Sequence, residues 1–324
     1  MTRVLVTGAG SAAALAFIES LRGQHVSLFL ADTDPEAPSL GLVPSSHRIG
    51  LPRTGSEALT EVLLQACREH RIDVVIPTRD CELLALARRR HRFTALGTVL
   101  MLPASASLET ALDRWALHRL GDGLVHRPRT AVFGMTVDLA RWRYPLVLKP
   151  RFRADPRPVR VISSFAEARS LRRDHALLLQ EYMPGEEIEV DVLSGPLGRI
   201  IASVPRQVGG TAVRVQHRTA PIAAAGRVVR ALRMSYASTV RLRRDREGRL
   251  GLVDIAPRLT RSMTASVAAG VNIPWLALQL AKGEAMPSNA HVYREVVFRT
   301  SPHARPQAVL ARSTLRGADL GVAS

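Results

Sequence analysis

The chain has 324 residues, 46% of them hydrophobic, which is enough for two or three domains with cores of their own. Aromatic residues make up only 4%, so Leu, Val, Ile and Ala must fill those cores, and no apolar run approaches the roughly 18 residues that span a bilayer, so no membrane segment is expected. The formal charge of +17 favours anionic ligands, but arginine is spread through every region with few aromatics between ("ARRRHR", "RLRRDREGR"), which argues against a nucleic-acid interface.

The stretch "RVLVTGAG" reads as a strand ending in a glycine turn. It begins at the third residue, so no secretory leader is expected. "SAAALAFIESLRG" reads as a helix capped by Ser11, and "HVSLFLADTD" as a second strand ending in Asp32 and Asp34. "GSEALTEVLLQACREHR" has the helical period, "IDVVIPT" is a third strand, and "RDCELLALARRRHRF" a further helix. Alternating strands and helices predict a parallel sheet with helices on both faces. Such sheets bind ligands beyond the carboxyl ends of their strands, which gathers Thr7, Gly8, Asp32, Thr78, Asp80 and Glu82 around a crevice. Gly8 and Gly10 offer part of a dinucleotide fingerprint, with Ala13 at the third glycine position. Many sheet domains share that pattern without a cofactor. Cys67 and Cys81 lack metal-ligand spacing and suit a reducing compartment, so a cytoplasmic setting is expected.

Residues 105–130 read as a helical linker, "SASLETALDRWALHRLGDG", followed by "VHRPRT". "YPLVLKPRF" is a strand with Lys149 near its end. "ALLLQEYMPGEEIEVDVLSG" is a strand, a bend at Pro184-Gly185 and a second strand, and "GRIIASVPRQ" continues that sheet. "TAPIAAAGRVVRALRM" is a helix, and "STVRLRRDREGRLGLVDIAPR" a hairpin turning near Glu247-Gly248. "SVAAGVNIPWLALQLAKGE" is helical, with Pro274 near a helix start, and the tail "ADLGVAS" carries no signal.

In this order the motifs resemble the ATP-grasp superfamily, most closely its carbamoyl-phosphate-synthase-like branch of single-chain ligases. The resemblance spans roughly residues 3–284, and "PRLTRSMTASVAAGVNIPWLALQLAKGE", "LQEYMPGEEIEVDV" and "LDRWALHRL" carry it. It implies a mixed α/β and α+β chain: an N-terminal Rossmann-like parallel sheet over 1–104, then an ATP-grasp fold of two α+β subdomains. Linker helices and the first subdomain would occupy 105–180, and the second subdomain with a C-terminal tail 181–324.

The resemblance also implies site residues. Lys149 and Arg114 match basic contacts to ATP phosphates. Glu181, Tyr182 and Met183 match the hinge whose backbone receives adenine, and Glu187 the acid that takes the ribose hydroxyls. Arg258 matches the arginine beside the transferring phosphate or acyl phosphate, with an ion pair to Asp254 as its plain structural alternative and Arg261 as a second candidate. His217 and Arg218 lie where they could meet substrate. The implied activity is ATP-dependent ligation of a small-molecule carboxylate to an amine (or thiol), with a homodimer left open.

Departures from the family pattern fall on the metal. Where it has a glutamate, an asparagine two residues on, and an oxygen ligand on the preceding strand, this chain has Asp254, Ala256 and Arg241. The glycine-rich phosphate loop is replaced by "PRFRADPRPVRV", whose Arg151, Arg153 and Arg157 could reach phosphate by side chain. The Mg2+ site is therefore expected to be weakened or absent, with Asp254 its one remaining ligand. A homologue that binds nucleotide or a partner without turnover is the alternative reading.

Overall fold

The computed structural model describes residues 1–53, 56–209, 212–287, 293–299 and 308–309. The first hundred residues form strands β1 (Thr2–Thr7), β2 (Val26–Asp32), β3 (Arg48–Gly50), β4 (Val74–Ile76) and β5 (Val99–Leu100), with helices α1 (Ala12–Ser20), α2 (Ser56–His70), α3 (Asp80–Arg88) and α4 (Arg90–Thr94). The strands make one parallel sheet in the order β3-β2-β1-β4-β5. Period-two alternation decides what each face buries. Val4 and Val6 of β1 meet Phe17 of α1, whereas Leu5 faces Leu63 of α2 and Leu83 of α3. Both faces are thus covered by helices, as the β–α alternation predicts.

Two short helices, α5 (Ser105–Leu112) and α6 (Arg114–Leu120), lead into strands β6 (Thr130–Val132), β7 (Leu146–Pro150), β8 (Arg160–Ile162) and β9 (Leu177–Glu181), with α7 (Phe165–Ser170) between the last two. These strands form an antiparallel sheet, order β6-β9-β7-β8, over a small core of Phe133, Leu146, Leu148, Ile162 and Leu179.

A larger antiparallel sheet follows, built from β10 (Glu187–Ser194), β11 (Ile200–Gly209), β12 (Ala212–Val215), β13 (Tyr236–Arg244), β14 (Leu250–Ala256), β15 (Val296–Arg299) and β16 (Ala308–Val309), in the order β14-β13-β10-β11-β12-β15-β16. Helices α8 (Thr219–Ala231), α9 (Thr264–Ala268) and α10 (Ile273–Ala281) belong to this part. Ile188, Val190 and Val192 of β10 pack with α8. The opposite face of β10 is polar at Glu187, Glu189 and Asp191 and becomes apolar only at Leu193, which shares a core with α10 and the α1 face of the first sheet. One continuous apolar layer therefore joins the first and last parts of the chain.

Three stretches read as single helices are broken. The helix over 79–93 turns at Arg89, whose φ of −105° and ψ of 13° end α3 and start α4. The linker helix breaks at Asp113, in extended backbone at φ −103° and ψ 103°, whose carboxylate accepts from the N–H of Trp115 (2.9 Å) and caps α6. The third breaks at Gly270, φ +101°, and resumes where the Asn272 side chain caps α10. The two segments meet at 101°. The short strands β3, β5, β6, β8 and β12 have no separate signature in the sequence. The tail from 318 lies outside the described residues.

Asp113 also holds Arg151 through both carboxylate oxygens, at 2.6–3.0 Å. Asp113→Ala loses cap and ion pair together and should cost about 1–2 kcal/mol in urea unfolding, whereas Asp113→Asn keeps a capping oxygen and should cost about half as much. Equal losses would show that the cap contributes nothing.

Candidate functional site

The smaller and larger sheets face each other across a cleft, and the side chain of Lys149 crosses it. From β7 the ammonium donates to Gln180 Oε1 on β9 (2.9 Å) and to the backbone carbonyl of Val253 on β14 (3.2 Å). Gln180 is itself oriented, since its amide donates to Thr130 Oγ1 at 2.8 Å. Only 5% of Lys149 is exposed. Burial pulls its ammonium down to about 8, against the opposing field of Asp254.

On the larger sheet, four charged residues stand directly opposite one another on successive strands: Arg206 on β11, Glu189 on β10, Arg241 on β13 and Asp254 on β14. Charge alternates along this row, which is the arrangement cross-strand pairing favours. Arg206, 1% exposed, donates to Glu189 (2.5 Å), to Asp191 and to Ser262 Oγ (2.5 Å). Arg241 donates to Glu189 (2.9 Å) and pairs with Glu187 (3.2 Å).

Asp254 ends the row as the counter-ion of several cations. One of its oxygens takes Arg153 and Arg114 (3.2 Å), and the other accepts the N–H of Ile255 (2.9 Å). Burial pushes this carboxyl up, but Arg153, Arg114 and Lys149 more than offset that and hold it at about 2.

Arg153 also reaches Asp80 at the start of α3 (3.3 Å), and Asp80 accepts from Arg258 (2.6 Å). The cleft is thereby tied to the carboxyl ends of the first sheet. A cavity of about 440 Å3 lies there, walled by Ser11, Thr78, Arg79, Arg153, Arg258 and Arg261 among others. No carboxylate pairs with Arg79 or Arg261 among the described residues.

Residues 4–101 match the family model described as the PylC-like N-terminal domain. Residues 173–305 match that described as ATP-grasp in the biosynthetic pathway with Ter operon. Among solved structures, N5-carboxyaminoimidazole ribonucleotide synthetase from Thermotoga maritima is 17% identical, covers 92% of this chain and 80% of its own, and superposes with a TM-score of 0.72. Carboxyaminoimidazole ribonucleotide synthase from Aspergillus clavatus, in complex with ATP, is 15% identical over 92% and 81%, with a TM-score of 0.73. L-amino acid ligase from Bacillus licheniformis is 17% identical over 92% and 79%, at 0.69. The chain has the ATP-grasp fold. A search of curated proteins finds no match.

Within the ATP-grasp fold, Lys149, Arg114 and Asp254 come together as one cluster. Arg258 stands apart from Asp254; its ion pair is with Asp80 at the start of α3. Of the three loop arginines, only Arg153 turns into the cleft. Arg151 is held by Asp113, and Arg157 by Asp155 and Asp174. Glu181, Tyr182 and Met183 line a cavity of about 200 Å3 with His126 and Asp245. The N–H of Glu181 is already bonded to the Arg129 carbonyl at 2.9 Å, and Met183 packs on Gly251, where an added Cβ would lie 2.6 Å from its sulfur. Glu187 is paired with Arg241 and Arg243. His217 is exposed and contacts Tyr293, and Arg218 pairs with Glu186. The glycine turn is closed on itself, with Asp32 accepting the N–H groups of Gly10 (2.7 Å) and Asp34 (3.0 Å). The acid that a dinucleotide site would offer to ribose is thus engaged within the turn.

These residues do not fit a Mg2+ cage. Hard cations need several oxygens in near-octahedral array. Asp254 has its oxygens on two guanidinium groups and a backbone N–H, Ala256 has no side-chain oxygen, and no three Asp, Glu, His or Cys side chains converge among the described residues. Arg153 is one of three loop arginines expected near phosphate, whereas Arg206 and Glu189 have no counterpart among the site residues expected from the sequence. The usable signal for them was Glu187, Glu189 and Asp191 on one face of a strand whose other face carries Ile188, Val190 and Val192.

The pKa of Asp254 is depressed by folding, so its stabilising contribution is complete above pH ~4 and lost as pH falls towards 2. It amounts to about 2 kcal/mol. Lys149 is also depressed, but as a base it makes the folded chain bind fewer protons than the unfolded one between pH 8 and 10.5, so stability rises with pH across that window. Unfolding free energies of Lys149→Met should lack the alkaline rise while keeping the acid limb. An unchanged alkaline limb would contradict the burial of this ammonium.

Proposed function

We propose that the chain is an ATP-dependent ligase joining a small-molecule carboxylate to an amine (or thiol) through an acyl phosphate. The observation that carries this reading is the buried Lys149 ammonium between the two sheets, beside Arg114, Arg153 and Arg241. A cluster of this charge in a cleft shielded from water is suited to a polyphosphate. Lys149 and Arg114 would hold the phosphates. The backbone around Glu181, Tyr182 and Met183 would receive the base, and Glu187, released from its arginines, the ribose.

The substrate acid belongs in the crevice at the ends of the first sheet. Arg79 and Arg261 have no carboxylate of their own there, and Arg258 and Arg153 close the side nearest the cleft. A carboxylate oxygen would bond to the terminal phosphorus as the bond to ADP breaks. The amine nitrogen would then bond to the acyl carbon as the carbon–oxygen bond to phosphate breaks, its proton leaving with the phosphate. The chain's part is positioning and charge stabilisation. Arg258, freed from Asp80, would hold the phosphoryl oxygens during transfer. No step is assigned to a protein-held metal. A cytoplasmic setting, small-molecule partners and a homodimer accord with this reading.

A second reading, nucleotide binding without turnover, is favoured by the saturation of Asp254 and by Ala256. ADP release and nucleotide affinity, measured over a panel of acids and amines with Mg2+ and with EDTA, separate the two. The ligase reading expects acid-dependent ADP release that falls at least tenfold in Arg258→Ala. Nucleotide affinity unaffected by EDTA, with no ADP from any pair, selects the second. No nucleotide binding at all removes both.

A further inference from the structure

A second cavity, of about 450 Å3, lies away from the cleft where the first sheet's far end meets the β10–β11 turn and the start of β13. Its walls are mainly apolar, including Leu102, Ala106, Pro196 and Leu280, and its polar groups are few: Arg90, Arg233 and Tyr236 stand out. Volume and lining are those of a small-molecule site.

The polar groups are unbalanced. Arg90 is half-buried and locked, donating to the carbonyls of Leu100 (2.9 Å), Leu102 (2.5 Å) and Pro103 (2.9 Å). No carboxylate pairs with it among the described residues, and burial works against its charge. Arg233, exposed at the mouth, has no ion pair among the described residues, and the hydroxyl of the half-buried Tyr236 lies in the field of Arg90 with no protein hydrogen-bond partner among the described residues. The backbone is equally unusual. Of the four non-glycine residues with positive φ among the described residues, three line this cavity: Leu197 (57°) in the β10–β11 turn, Arg233 (51°) in the left-handed position that closes α8, and Tyr236 (64°) at the start of β13. Tyr236 serves neither a turn nor a helix end, and bulky side chains held in that conformation gather at ligand sites. Tyr236 is held in it by pairing with Ser194, whose single O–H is shared between the carbonyls of Met234 (3.0 Å) and Tyr236 (3.3 Å).

We propose that this cavity is a separate binding site for a small organic carboxylate with an apolar body. The head would lie between Arg233 and the Tyr236 hydroxyl, within the field of Arg90, and the body against Leu102, Ala106, Pro196 and Leu280. The two cations with no acid between them select an anion, and the apolar walls exclude one that is charged throughout. None of these residues lines the cleft, so the proposal stands or falls apart from the nucleotide reading.

The test uses two probes of one shape and opposite charge, 4-phenylbutyrate and 4-phenylbutylamine, titrated into the full chain by calorimetry. The acid should bind and the amine should not. Tyr236→Phe and Arg233→Ala, each checked for unchanged thermal unfolding, should weaken the acid at least fivefold. Arg141→Ala, an exposed cation paired with Asp138 and outside both cavities, should leave it unchanged. Arg90 is spared because it staples the 100–103 segment. Absence of acid binding, equal binding of the amine, no effect of Arg233→Ala and Tyr236→Phe, or loss through Arg141→Ala would each overturn the site.

Discussion

Asp254 is the counter-ion that three separate parts of the chain share. Arg114 comes from the linker helices, Arg153 from the loop after β7, and Arg241 stands opposite in the same sheet, while Lys149 crosses from the smaller sheet beside it. Four cations gathered in one poorly solvated place would repel one another and lose their hydration. A single carboxylate with two guanidinium groups bonded to it makes the cluster tolerable. Lys149 ties the smaller sheet to the larger one at the Val253 carbonyl, where Asp254 offsets the field of the arginines.

The same constraint explains why a cation at position 241 is no anomaly. In register, Arg241 falls between Glu189 and Asp254, and Glu189 falls between Arg241 and Arg206. A carboxylate at 241 would put like charges on neighbouring strands, and a neutral amide there would leave Glu189 and Asp254 without the cation between them. Either would leave Glu189 with Arg206 alone, and Arg206 already serves Asp191 and Ser262. A metal cage and this ladder are alternative solutions for one strip of sheet. The first gathers oxygens around a divalent ion, and the second supplies fixed N–H donors whose charge does not depend on metal supply. The loop after Lys149 follows the second pattern: it lacks glycines that bring backbone N–H groups close, and it sends Arg153 inwards instead.

Much of the architecture is legible in the sequence because apolar periodicity survives burial. Val4 and Val6 against Leu5, and Ile188, Val190 and Val192 against Glu187, Glu189 and Asp191, announce strands and their faces. Breaks inside helices are less visible, since Asp113 and Arg89 are ordinary helix residues until a cap or a turn gives their backbone another use. The site is legible at the level of residue type, as with Lys149 ending an apolar strand, but the choice of partner is not. That Arg258 pairs with Asp80, 178 positions away, rather than with Asp254, four positions away, depends on where the first sheet sits against the second. Arg153, one of three similar arginines in its loop, is singled out only by the direction the chain takes after Pro150.

Asp254, Arg153, Asp80 and Arg258 form an unbroken line of ion pairs from the cleft to the strand-end crevice. An anion that reaches Arg153 or Arg258 meets an arginine that already holds a carboxylate, so its arrival there is an exchange of partners rather than the neutralisation of bare charge. Such an exchange costs little Coulomb energy, because Arg153 and Arg258 keep one negative partner throughout, and it favours groups that offer more oxygens than a carboxylate, as a phosphate does. On the proposed nucleotide reading, a phosphate that drew Arg153 away from Asp80 would leave Asp80 to Arg258 alone, so the shared side chain would link the charge of the cleft to that at the mouth of the crevice.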